Sequence, residues 1–89
     1  MSDQNDSQVV VYSTTWCPDC IMAKKVLDSM KVEFTDINIE QDPDAVETVL
    51  SINNGSRSVP TIVFTDGSTL TEPSVVVLRK RIEELNLAG

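Results

Sequence analysis

Cys17 and Cys20, in the segment Trp16-Cys17-Pro18-Asp19-Cys20, are the residues whose type and spacing point most directly to chemistry. Disulfide exchange proceeds by attack of a thiolate on a disulfide sulfur, so the nucleophile must be ionised and reachable. Pro18 fits the first position of a helix, where its missing N–H costs nothing, and this puts Cys17 at the N-cap. Unpaired backbone N–H groups and the helix dipole favour an anion there. Surroundings of this kind lower a thiol's pKa. Cys20 follows one helical turn deeper, roughly beneath Cys17. It can donate a weak S–H bond to the thiolate, or attack Cys17 once that sulfur is bonded to a substrate. Cys17 is therefore expected to be the attacking thiol and Cys20 the resolving one.

Other uses of two cysteines are narrower. Zinc takes four ligands, commonly Cys or His, and the chain has two cysteines and no histidine. A metal or iron–sulfur cluster would have to bridge two chains, so no tightly bound cofactor is expected. Fourteen Asp and Glu against seven Lys and Arg give a net charge of −7. That argues against nucleic acid, because phosphate binding needs a basic face. The acidity reads either as solubility or as attraction of a basic partner. Met1 to Gln8 is polar and acidic, with neither a basic nor an apolar signal-peptide region. No apolar run approaches the ~20 residues that span a bilayer. A cytoplasmic protein with no membrane partner is expected, in a compartment where paired cysteines suggest redox catalysis rather than a structural staple.

The elements that must position the cysteines follow from the surrounding pattern. At 89 residues the chain has room for one domain. Met1 to Ser7 reads as a frayed tail, and residues 8–89 as the domain. Val9 to Tyr12 reads as a buried strand. Met22, Ala23, Val26, Leu27 and Met30 recur at helical spacing over Pro18 to Met30. Val32 to Ile39 reads as a second strand. Asp42-Pro43 starts a helix with Val46, Val49 and Leu50 on its apolar face, and Asn54-Gly55 ends it. Thr61 to Phe64 is a third strand, Asp66-Gly67 a hairpin turn, and Ser68 to Thr71 an edge strand. Pro73 and Ser74 open a last helix carrying Val76, Val77, Leu78, Ile82 and Leu85. The order β-α-β-α-β-β-α predicts parallel crossovers among the first three strands and a final antiparallel hairpin.

Several residues near the cysteines carry two readings each. Trp16 either lines a groove for the partner or covers the helix end. Arg57 is the one cation near the expected groove, and either meets substrate or solvates a loop. Met22 and Met30 read as core. A proline just before a buried strand, as at Val59-Pro60, needs a positional reason. A cis peptide there would present the Val59 backbone to an extended substrate, although X–Pro bonds are cis in only ~5–6% of cases.

With Tyr12-Ser13, Trp16-Cys17-Pro18-Asp19-Cys20, Val59-Pro60-Thr61 and Asp66-Gly67 in this order, the chain resembles the glutaredoxins from Val9 to Leu87. Within them it is most similar to the actinobacterial mycoredoxins, through Asn53 to Thr61 and Asp66 to Ser74. The resemblance implies an α/β thioredoxin-like fold, a four-stranded mixed sheet flanked by three helices, and a cis Val59-Pro60 bond facing Cys17. It also implies a monomeric thiol–disulfide oxidoreductase with Trp16, Pro18, Asp19, Arg57, Val59 and Pro60 around the cysteines. The implied reaction reduces protein–mycothiol mixed disulfides, with mycothiol as reducing co-substrate, oxidised protein thiols as partners, and mycothiol disulfide reductase acting indirectly.

Three departures from ordinary glutaredoxins bear on this expectation. Thr14 replaces a lysine, and Glu72-Pro73 a Gly-Gly pair, that in the family meet glutathione's carboxylates; mycothiol, a cysteinyl pseudodisaccharide, lacks such groups. Asp19 stands where the family has tyrosine or another uncharged residue. A carboxylate in the first turn favours the helix by ~0.3–1 kcal/mol. Close to Cys17, however, it repels a thiolate and competes for the same N–H donors. Two rival readings remain, a thioredoxin-like (NrdH-type) protein electron donor and an iron–sulfur carrier acting as a cluster-bridged dimer. The first would carry a Ser-Gly-Phe-Arg-Pro-like segment where this chain has Leu70-Thr71-Glu72-Pro73-Ser74; the second usually has Ser at the position of Cys20.

Overall fold

A computed structural model describes residues 9–89; the tail expected over Met1–Ser7 lies outside the described residues. Four strands and three helices follow in the order β1 (Val9–Ser13), α1 (Pro18–Ser29), β2 (Phe34–Asn38), α2 (Pro43–Ile52), β3 (Thr61–Val63), β4 (Thr69–Thr71) and α3 (Val75–Glu84). The sheet order is β2-β1-β3-β4. Alternation in β1 buries Val9, Val11 and Ser13, as period-2 strands do. Val9 and Val11 join Ala23, Val26, Leu27, Ile62, Phe64, Leu78 and Ile82 in the larger core, which puts α1 and α3 against one face. Ile39, Ala45 and Val49 form a second core with Tyr12, Ile37, Val46 and Val59, under α2. Fully buried Leu27, Ile62, Leu78 and Ile82 each contribute ~1.5–3 kcal/mol of apolar transfer.

β1 and β2 are parallel, in register from Val9 opposite Phe34 to Ser13 opposite Asn38. β3 is antiparallel to β1, not parallel as the helix-separated order suggests. After α2 (ten residues), residues 53–60 bring the chain back to the end of the sheet that it left. β3 therefore starts beside the C-terminal end of β1, with Thr61 opposite Tyr12. That reversal carries Val59-Pro60 to the end of β1 from which Cys17 emerges.

Element ends shift from the expectations for local reasons. The second strand stops at Asn38, whose side chain caps a 3-10 turn over Ile39–Gln41 by accepting from the Glu40 N–H at 2.9 Å. The first helix buries Cys20, Ala23, Val26 and Leu27, so Met22 falls beside that stripe and is exposed rather than core. In α3 the buried positions are Leu78 and Ile82, four apart. Val76 and Val77, expected on the same face, are exposed at 74% and 47%.

Candidate active site around Cys17 and Cys20

Three helix starts here use the same device, a side chain accepting from the free N–H groups of the first turn. Asp42 Oδ1 accepts from Asp44 and Ala45 at 3.1 and 3.2 Å, and Ser74 Oγ from Val77 at 3.2 Å. In α1 the capping atom is a sulfur. Cys17 sits at the N-cap with extended backbone, Pro18 follows at the first position, and the Cys20 N–H donates to Cys17 Sγ at 3.2 Å. The Cys17 thiol points to the Val59 carbonyl oxygen at 3.8 Å, and the Val59–Pro60 bond is cis.

Cys17 is only 5% exposed and Cys20 not at all. The sulfur that must be reachable is flanked by the α1 turn and Val59. Burial pushes the Cys20 thiol up to about 12, helped by its hydrogen bond to Cys17 and the charge there. The Thr14 backbone and Lys24 offset part of this. Lys24 is held by Asp36 at 2.8 Å, and Asp36 also accepts from the buried Ser13 hydroxyl at 2.6 Å. Reaction of Cys17 with a disulfide removes both its thiolate charge and its share of the hydrogen bond. Two of the three causes holding the Cys20 proton then vanish, so Cys20 becomes easier to ionise once it has something to attack.

The wall on the β3 side is set by an asparagine to which the sequence assigns no role of its own. Asn53, at the end of α2, donates to Thr61 Oγ1 at 2.9 Å and accepts from Thr71 Oγ1 at 2.6 Å. Thr61, fully buried, donates in turn to the Ser58 carbonyl at 2.8 Å. The Pro60 carbonyl accepts from the Glu72 N–H at 2.8 Å. These contacts join α2, β3 and β4 around the loop that carries Val59.

On the β2 side, the loop after β1 meets the 3-10 turn after β2. Glu40 accepts from Trp16 Nε1 at 2.9 Å and from Thr15 Oγ1 at 3.3 Å. The Trp16 hydrogen bond is the main reason the Glu40 carboxyl titrates below its ordinary range, with Arg57 contributing by its charge. Arg57 itself is exposed in the loop. Asp19 is exposed in the first turn of α1 and, with Met22, Ala23, Pro73, Ser74, Val75 and Leu78, lines a cleft of about 200 Å³ between α1 and α3. Glu72 stands before that cleft at φ 50°, a backbone conformation that suits glycine. Thr14 is buried and its hydroxyl has no hydrogen-bond partner among the described residues. Among the described residues no group of three or more His, Cys, Asp and Glu is arranged to hold a metal ion. Among the described residues no helix is long and apolar enough to cross a membrane.

The glutaredoxin family model matches residues 9–68. Mycoredoxin 1 of Corynebacterium glutamicum is 40% identical over 79 residues, covering 89% of this chain and 98% of that protein. A glutaredoxin-like chain of Mycobacterium tuberculosis is 36% identical over 77 residues, covering 86% and 92%. The crystal structure of wheat glutaredoxin superposes with a TM-score of 0.70 at 27% identity, covering 92% of this chain and 82% of that one.

Proposed function

This chain belongs to the glutaredoxin family, and from that premise we propose that it is a cytoplasmic oxidoreductase reducing protein–mycothiol mixed disulfides through Cys17. The observation that carries the reaction class is the sulfur cap: Cys17 Sγ receives the Cys20 N–H at 3.2 Å and lies 3.8 Å from the Val59 oxygen. One backbone donor thus meets the sulfur, and the neighbouring strand end offers backbone to an incoming chain.

In the first step the Cys17 thiolate attacks the mycothiol sulfur of the mixed disulfide. The protein substrate leaves as a thiolate and takes up a proton, and Cys17 is left disulfide-bonded to mycothiol. A second mycothiol thiolate then attacks the mycothiol sulfur, forming mycothiol disulfide and regenerating the Cys17 thiolate. Mycothiol disulfide reductase would return that product to the reduced pool. For a protein disulfide, Cys20 instead loses its proton and attacks Cys17, releasing the reduced substrate and leaving a Cys17–Cys20 disulfide. Trp16, Pro18, Asp19, Arg57, Val59 and Pro60 border the approach to Cys17 in this reading, and the chain acts as a monomer.

The choice of mycothiol rests on charge. Thr14 is buried and neutral, so it offers no cation to a carboxylate. Glu72 precedes the N-terminus of α3, and its negative charge opposes a carboxylate at that end. The 40% identity to a mycoredoxin supports the same reading. A coupled assay on a model peptide, mycothiolated in one arm and glutathionylated in the other, tests it. Faster turnover with mycothiol is expected; activity with glutathione alone would defeat the thiol assignment.

A further inference from the structure

The carboxylate of Glu40 has no place in that reaction, yet two side chains from the loop before Cys17 converge on it. The Trp16 indole N–H donates to one oxygen at 2.9 Å and the Thr15 hydroxyl to the other at 3.3 Å. Glu40 is fixed in turn, because its N–H is held by Asn38 at the mouth of the 3-10 turn. Register brings these segments together: Ser13, the last residue of β1, is opposite Asn38, the last of β2. The two segments that leave these strand ends therefore run side by side.

The consequence falls on Trp16. The ring is 68% exposed, and a large exposed aromatic normally samples several rotamers. Here its single polar atom is occupied, and its orientation is tied to the sheet through Glu40. What remains open to a ligand is the apolar ring surface, on the residue next to the nucleophile. The carboxylate in contact with the ring residue is Glu40, and Arg57 acts on it by its charge. Both act at the indole N–H edge, so the open ring face suits an uncharged skeleton.

We propose that Glu40 is a positioning residue for disulfide exchange, holding the Trp16 indole as a fixed apolar wall beside Cys17 against which the uncharged ring skeleton of the small thiol packs. This rests on the reading of the chain as a reductase of mixed disulfides. It adds a specificity-determining contact that the cysteines do not supply. Because Glu40 touches Trp16 and not the reacting sulfur, its effect falls on binding rather than on the chemical step.

The test uses the full chain, its Glu40→Ala and Glu40→Gln variants, Trp16→Ala, and the Glu40→Ala/Trp16→Ala pair. KM and kcat are measured on a mycothiolated and on a glutathionylated peptide. Glu40→Ala is expected to raise KM for the mycothiolated peptide about fivefold, the weight of one ordinary solvent-exposed hydrogen bond, with kcat unchanged. Glu40→Gln, which keeps an acceptor oxygen, stays within about twofold of the parent. In the Trp16→Ala background Glu40→Ala adds nothing, as coupled residues require. Trp16 is the only tryptophan, so its emission reports the wall directly: it shifts in Glu40→Ala and not in Glu40→Gln. The proposal is overturned by an unchanged KM in Glu40→Ala, or by a full loss that persists without Trp16. If the parent turns over only the glutathionylated peptide, the mycothiol assignment fails and the packing of a ring skeleton on Trp16 is overturned with it, whereas failure of the Glu40→Ala shift with mycothiol turnover intact overturns the role of Glu40 alone.

Discussion

The two walls that flank Cys17 are built in opposite ways. On the β3 side, Val59 is carried by a loop anchored through Asn53, Thr61 and Thr71, with Thr61 fully buried. On the β2 side, Trp16 stands 68% exposed and is held by one exposed carboxylate. The first wall is part of the fold, because its hydrogen bonds also join α2 to the sheet. The second is attached to the fold and can be removed without dismantling it. On the proposed reading, the backbone that meets substrate belongs to the fold, and the selective surface is attached to it.

Breaking the first wall should cost stability most. Asn53→Ala leaves the buried Thr61 hydroxyl without its donor, and we expect a loss of about 2 kcal/mol in urea unfolding with an unchanged m-value. A loss within error would mean that the clasp is ornamental. The floor beneath the wall makes a pH-dependent contribution. Cys20 in the fold lies above its ordinary 9.0, at about 12. Its neutral form therefore stabilises the reduced protein fully below pH ~9, and that contribution is lost as pH rises toward the folded value. Stability should fall by up to ~1.4 kcal/mol per unit over this range, more steeply than in Cys20→Ser. Equal slopes in the two proteins would contradict the burial argument.

Smaller effects sharpen the contrast. Glu72 holds a left-handed φ of 50°, which costs a side-chain-bearing residue ~1–2 kcal/mol. Glycine relieves that strain but adds freedom to the unfolded chain. Glu72→Gly should therefore stabilise by less than ~1 kcal/mol, seen as a small rise in Tm. A fall would show that other contacts of Glu72 outweigh the strain. The second wall should respond to acid without unfolding. Glu40 titrates below its ordinary range because of its Trp16 bond, so the bond is intact above that range and lost as pH falls through the lowered value. Trp16 emission should shift at a pH below the ordinary glutamate value of ~4.3. A transition at or above it would count against the contact.

What the sequence made legible is local. Cys17-Pro18 and Asp42-Pro43 mark helix starts because capping depends on residues three apart, and Asp66-Gly67 marks the hairpin because a positive φ selects glycine; Gly67 has φ 87°. The antiparallel course of β3 was not legible, since a helical connection of this length serves a parallel or an antiparallel return equally well. Glu40 and Asn53 were missed for a related reason. Their partners lie 18 to 25 residues away for Thr71, Trp16 and Thr15, and a lone Glu or Asn carries no periodic signal. Glu72 did leave a trace, as a departure from Gly-Gly, and the positive φ gives that departure a backbone meaning.

The most direct test of the account is intact-mass analysis of Cys20→Ser and Cys17→Ser proteins after exposure to mycothiol disulfide. The account predicts that Cys20→Ser gains one mycothiol on Cys17, released by thiol, and that Cys17→Ser gains none. A mycothiol adduct on Cys20 in the Cys17→Ser protein, formed as fast as on Cys17, would contradict the claim that Cys17 is the attacking thiol.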